Sequence, residues 1–109
     1  MTANTASPWV LDAQWPVFAG HFPAHPVLPG ALLLDWVIDS IQQQSGRNVV
    51  GVAQTKFSRA AEPGDVLTLA LRPDGTRVRF EVRATRATNE HTVASGIANL
   101  AVATTSTVP

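Results

Sequence analysis

HFPAHPVLPGALLLDWVIDSIQQQSG, residues 21–46, sets a rigid loop, a helix and a helix stop in a single run. With Pro16, the prolines at 23, 26 and 29 make residues 14–29 an ordered loop, because prolines at this density break helix and central strand alike. Residues 30–43 contain no proline and no internal glycine, so a helix is predicted there. Pro29 suits its start and Gly46 its end. Leu32, Leu33, Leu34, Trp36, Val37, Ile38 and Ile41 cover nearly its whole circumference, which predicts burial on most sides. About 14 residues are too few to span a membrane.

The sequence around this helix reads as strands. Residues 8–15 alternate weakly and fit a first strand. Residues 48–60 are β-rich, Glu62-Pro63-Gly64-Asp65 is a turn, residues 66–71 form a strand and Pro73-Asp74-Gly75 turns again. Residues 76–85 set Val78, Phe80, Val82 and Ala84 on one face and Arg77, Arg79, Glu81 and Arg83 on the other, the pattern of a half-solvated antiparallel strand. Thr88-Asn89-Glu90 turns into a last strand, 91–104, whose small residues (Ala94, Gly96, Ala98, Ala101) let a helix lie close. Residues 1–7 and 104–109 read as polar tails. One helix cannot cover both faces of a sheet, so the economical α+β solution is a single domain, 1–109, with an antiparallel sheet wrapped around one central helix. Its edge strands need protection, and a homodimer that continues the sheet would supply it.

Composition narrows the function classes. Eight basic and eight acidic residues cancel, a poor fit to a nucleic-acid binder. With no cysteine there is no thiol nucleophile, disulfide or Cys-ligated zinc. The first residues carry neither the basic nor the apolar region of a secretory signal, and no apolar run is long enough for a membrane span. The expectation is a cytoplasmic protein without a transmembrane segment.

The chemistry concentrates in residues 21–35. His21 is either a hydrogen-bonded loop histidine or a base. His21 and His25 have the spacing of a metal pair on a helix, but Pro23 and Pro26 remove the helix and no third ligand is near, so no metal site is expected. Asp35 lies past the helix's first turn between Leu34 and Trp36, where burial would be costly without a partner and would raise a carboxyl pKa. Asp39 is nearer the polar end and reads as solvated. Gly30 opens the helix with an N–H that lacks an intrahelical acceptor and no Cβ to block a ligand. A base, an acid and an oxyanion donor suit proton abstraction beside a thioester carbonyl.

HFPAHPVLPGALLLD resembles the active-site segment of the hot-dog-fold 3-hydroxyacyl-ACP dehydratases: a histidine, Phe-Pro, Pro-Val, Pro-Gly, and an acidic residue fourteen positions after the histidine. KFSRAAEPGDVL, residues 56–67, is similar to a second stretch of that family, and Leu-Asp-Trp at 34–36 resembles the small dehydratases of aryl-polyene-type pigment pathways. The resemblance covers most of residues 15–105 and implies a hot-dog fold, a homodimer with active sites at the interface, and conversion of a 3-hydroxyacyl thioester to a trans-2-enoyl thioester. No cofactor is implied, the substrate riding on the phosphopantetheine of acyl carrier protein. It further implies His21 as the base, Asp35 as the acid, Gly30 N–H as the carbonyl donor and the Val27 carbonyl as the group orienting His21. The family's usual residue at position 35 in its shorter members is Glu, and its N-terminal Pro-Phe-Leu-Leu-Val-Asp-Arg stretch is missing.

Phe22 and Phe57 fit either an acyl tunnel or core packing. Lys56, Arg59, Arg83 and Arg86 are candidates for docking an acidic carrier protein, or simply solvated cations. Trp9, Trp15 and Trp36 read as core or interface, and His91 as a surface residue. Two rival functions remain: a hot-dog thioesterase, and a non-catalytic partner of a longer dehydratase-like chain.

Overall fold

A computed structural model describes residues 4–5, 8–19 and 27–102. Its elements are β1 (Asn4–Thr5), β2 (Trp9–Val10), α1 (Pro16–Ala19), α2 (Gly30–Ser45), β3 (Val49–Phe57), β4 (Val66–Asp74), β5 (Arg77–Arg86) and β6 (Asn89–Leu100). The strands form one antiparallel sheet in the order β1-β4-β5-β6-β3, with β2 also paired to β4. The predicted strand–loop–helix–four-strand order stands, and so does the α+β architecture of an antiparallel sheet packed on one long helix.

Three details differ from expectation. The strand read at residues 8–15 is only Trp9–Val10, a further short strand, β1, falls within the expected N-terminal tail and pairs with β4, and the loop after β2 contains the short helix α1. Pro16 opens α1, where a missing N–H costs nothing and a fixed φ helps. A proline read as a breaker is here a helix starter.

The core follows from the alternation of β4, β5 and β6. Leu67, Leu69 and Leu71, then Val78, Phe80, Val82 and Ala84, then Ala94, Ala98 and Leu100 face α2 and are buried with its Leu33, Val37 and Ile41. Full burial of each large aliphatic or aromatic side chain contributes about 1.5–3 kcal/mol. The expectation that the small residues of β6 let the helix lie close is not met there: α2 approaches the sheet mainly at β3, and the space over Gly96 is filled by the Phe80 ring. Gly46, at φ 71°, ends α2 with its N–H donated to the Gln42 carbonyl at 2.9 Å.

α2 is not buried on most sides. Leu33, Val37, Ser40 and Ile41 are buried, Leu32, Leu34, Trp36 and Ile38 are half-buried, and Ala31, Asp35, Asp39 and Gln43 line an exposed stripe at i, i+4 spacing. The apolar circumference therefore exceeds what one chain covers.

The corner between β3 and β4 is tightly bonded. Asp65 is fully buried; its carboxylate accepts from the Glu62 N–H at 2.9 Å and from Arg86 Nε at 2.7 Å. Its backbone carbonyl accepts from the Leu11 N–H, while the Gly64 N–H donates to the Leu11 carbonyl.

Candidate functional site

Two elements converge at the start of α2. The Leu28 N–H donates to the Ala61 carbonyl at 2.8 Å, tying the chain ahead of α2 to the segment after β3. That segment is held in turn by the Ser58 N–H on the Val93 carbonyl, also at 2.8 Å. Val93 is free to accept because β6 carries an extra residue there: Val82 opposes Ala94, and Arg83 opposes Thr92. Between these supports lies a cleft of about 390 Å³ walled by Leu28, Gly30, Leu33, Phe57, Arg59 and Ala61.

Gly30 is the first residue of α2 and is exposed at this cleft. The first N–H groups of a helix have no intrahelical acceptor, and the helix dipole favours negative charge beside them. The cleft thus joins a backbone donor to walls of mixed character, apolar at Leu28, Leu33 and Phe57 and polar at Ser58 and Arg59, which suits a carbonyl attached to a hydrocarbon chain.

Asp35 is exposed in the single chain, not buried as the flanking residues suggested. Leu34 and Trp36 beside it are only half-buried, so its own chain supplies no desolvation. At 100° per residue, Asp35 stands about 200° round the helix from Leu33. Leu33 lines the cleft, so Asp35 projects from the opposite side of α2. Asp39 is exposed as expected and accepts a hydrogen bond from Gln43 Nε2 at 3.0 Å.

His21, Phe22 and His25 lie outside the described residues; Val27 is half-buried in the approach to α2. Phe57 is half-exposed at the end of β3, and Arg59 is exposed on the cleft rim. Lys56 is also exposed. Arg83 and Arg86 are engaged within the chain. Arg83 pairs with Glu90 at 3.3 Å and Glu81 at 3.1 Å, and these partners, Glu90 first, raise its pKa. Arg86 pairs with Asp65 at 2.7 Å and Glu62 at 2.6 Å, and Asp65 chiefly raises its pKa. Of the four docking candidates, only Lys56 and Arg59 keep their charge free of an ion pair among the described residues.

His91 is not a plain surface residue. It is half-buried opposite Ala84, and its Nε2 is buried without a hydrogen-bond partner among the described residues. Trp9 links Trp15 and Trp36 in a cluster with ring centroids 5.8 and 5.4 Å apart, seated on the core beside Asp35. Among the described residues no cluster of His, Cys, Asp or Glu could hold a metal ion, and no helix is long and apolar enough to cross a membrane.

A family model described as ApeI-like, ApeI dehydratase, matches residues 3–97. The 3-hydroxyacyl-(acyl-carrier-protein) dehydratase FabZ of Chlamydia abortus is 36% identical over 66 residues, which is 50% of this chain and 43% of that protein. The chain spans about half the length of the curated relatives it matches. Among solved structures, a chain of the dehydratase heterocomplex ApeI:P from Xenorhabdus doucetiae aligns with a TM-score of 0.71 at 28% identity, covering 85% of this chain and 82% of that one. A hexameric hot-dog-fold thioesterase of Campylobacter jejuni, 19% identical, shares the fold at a TM-score of 0.66 over 90% of this chain and 81% of its own.

Proposed function

The chain belongs to the ApeI-like dehydratase family, and from that premise we propose that it removes water from a 3-hydroxyacyl thioester carried on acyl carrier protein, giving a trans-2-enoyl thioester. The thioester carbonyl accepts from the Gly30 N–H, which stabilises the enolate charge that develops when His21 takes the α-proton. Asp35 delivers a proton to the β-hydroxyl, the C–O bond breaks, and water leaves. Val27 holds the histidine ring through its carbonyl, and Phe22 and Phe57 line the acyl path. The reaction consumes no redox equivalent, so no cofactor enters its balance beyond the carrier's phosphopantetheine.

The observation that carries this reading is the position of Asp35 on the side of α2 away from the cleft at Gly30. One chain cannot turn both toward one substrate, whereas two chains facing each other can. We therefore propose a homodimer in which His21 and Gly30 of one protomer meet Asp35 of the other. The open edge of β3, with Val50 68% exposed, is the surface that continues the sheet. Lys56 and Arg59 receive the acidic carrier, and the reaction takes place in the cytoplasm.

The test mixes two inactive chains. His21→Ala and Asp35→Asn should each lose about 10²–10⁴-fold in turnover, the usual contribution of a positioned proton-transfer group. Refolded together, they should regain up to a quarter of wild-type activity, because one site in a mixed dimer is intact. Full activity in either single variant would sink the assignment. Substrate mass separates reactions: a loss of 18 units is dehydration, release of the free acid is hydrolysis. The match to a chain of a heterocomplex favours a second reading, an obligate partner subunit. Wild type inactive alone but active after addition of a longer dehydratase-like chain would select it.

A further inference from the structure

Phe57 is 52% exposed, yet its position is closely specified. A Cβ on Gly30 would stand 3.3 Å from its Cζ, 3.4 Å from Cε1 and 3.8 Å from Cε2. The ring therefore occupies the side-chain direction of the residue that opens α2.

It arrives there through a bulge in β3. Ala53 opposes Ile97 and Lys56 opposes Ser95, so Gln54 and Thr55 together face Gly96. Gln54 takes a left-handed φ of 55° to admit the extra residue. The extra residue inverts the inside–outside alternation. Phe57 comes opposite Ala94, which faces α2, and Lys56 opposite Ser95 on the outer face. A regular strand continued from Ala53 would place Lys56 over the helix and Phe57 outside. Gly96 makes the bulge possible: a Cβ there would lie 2.8 Å from Phe80 Cζ and 3.1 Å from Thr55 Cα.

We propose that Phe57 sets which acyl thioesters the site accepts, by walling the space beside Gly30 where the substrate's α-carbon lies, so that unbranched chains enter and α-methyl chains are excluded. This rests on Gly30 as the carbonyl donor. A carbonyl oxygen about 2.9 Å from the Gly30 nitrogen puts its α-carbon about 4–5 Å from that nitrogen. The Phe57 ring borders the same volume, and an added methyl group would meet it. Discrimination of one methyl group by an apolar wall is worth about 10–200-fold.

The experiment uses S-(3-hydroxybutyryl)pantetheine and its 2-methyl counterpart with wild type, Phe57→Ala and Phe57→Leu. Binding is read by calorimetry and conversion by product mass. Wild type should prefer the unbranched thioester by about 10-fold or more in Kd; Phe57→Ala should bring the ratio within about twofold, with Phe57→Leu between. A wild-type ratio near one, or a ratio unmoved in both variants, overturns the assignment. If the preference appears and collapses as expected but neither compound loses water, Phe57 keeps its role and the dehydratase reading falls. If water is lost but Phe57→Ala leaves the ratio intact, the dehydratase reading stands and Phe57 loses its role. If wild type binds neither thioester, both fall.

Discussion

The two edges of the sheet are finished in opposite ways. β4 is covered along its outer side by β1 and β2, and the corner that feeds it is closed by Asp65, bonded to Glu62 and Arg86 and clasped by Leu11. Among the described residues β3 has a strand partner only in β6; it exposes Val50 and Phe57, and lies next to a helix whose outer stripe carries Asp35 between half-buried apolar side chains. The first region satisfies its polar groups within the chain; the second leaves apolar surface and a strand edge open. The chain is complete where it only has to fold. It is incomplete where the proposed chemistry needs a second protomer.

The comparison breaks most directly at β3. Val50→Lys puts a charge on the open edge while leaving the core untouched, since Val50 is already 68% exposed. Sedimentation should show a shift from dimer to monomer, and turnover should fall about 10²-fold or more as the shared acid is lost. An active monomer would refute the two-chain site. At the closed edge, Arg86→Met should leave turnover per folded molecule unchanged but strand the buried Asp65 carboxylate. Breaking a fully buried pair costs about 3–5 kcal/mol. Half of the Arg86 side chain meets water, which screens the pair, so about 2–3 kcal/mol is expected in urea unfolding.

These contrasts also mark what the sequence could reveal. The strands were legible because Val78–Ala84 alternates with its charged neighbours, and α2 because Pro29 and Gly46 punctuate it. Asp35 was misplaced because apolar neighbours signal burial without saying which chain provides it. The Asp65–Arg86 pair left no local trace, being separated by 21 residues. For the same reason Arg86 read as a free cation when it is already paired; Arg83 read so too, although Glu81 stands two residues away on the same strand face. The bulge at Gln54–Thr55 escaped because glutamine is not a residue that announces a left-handed turn, so nothing in the sequence told that Phe57 faces the helix.

Gly96 carries part of that hidden geometry. In the sequence it is one small residue among several that would admit α2; in the structure it admits the Phe80 ring and the Thr55 backbone. Gly96→Ala should cost about 1–3 kcal/mol, the usual range for overpacking a well-filled core. Ala94, its inward neighbour on the same strand, already carries a Cβ and is the control position: Ala94→Gly removes an atom and should not crowd the Phe80 ring or the Thr55 backbone. If Gly96→Ala is destabilised and also relaxes the α-methyl preference, the bulge and the cleft are one device. If stability falls and the preference holds, Gly96 serves packing alone.

The smallest effect belongs to the outer face of β5. Arg83 meets Glu81, Glu90 and the Thr92 hydroxyl, which itself donates to Glu81 at 3.0 Å, an arrangement as extensive on paper as the Asp65 corner. The difference is solvent: Arg83, Glu81 and Glu90 keep 37%, 43% and 51% of their side chains exposed, while Asp65 keeps none. Exposed pairs are weakened by water and salt. Arg83→Gln should therefore lower the melting temperature slightly at low salt, and the difference from wild type should vanish near 1 M salt, where the Debye length is about 3 Å. The deficit of Arg86→Met should persist there, because its origin is a buried carboxylate that salt does not reach. Equal salt sensitivity in the two variants would mean that the Asp65 corner is wetter than its burial indicates, and that the contrast between closed and open edges is one of geometry rather than of energy.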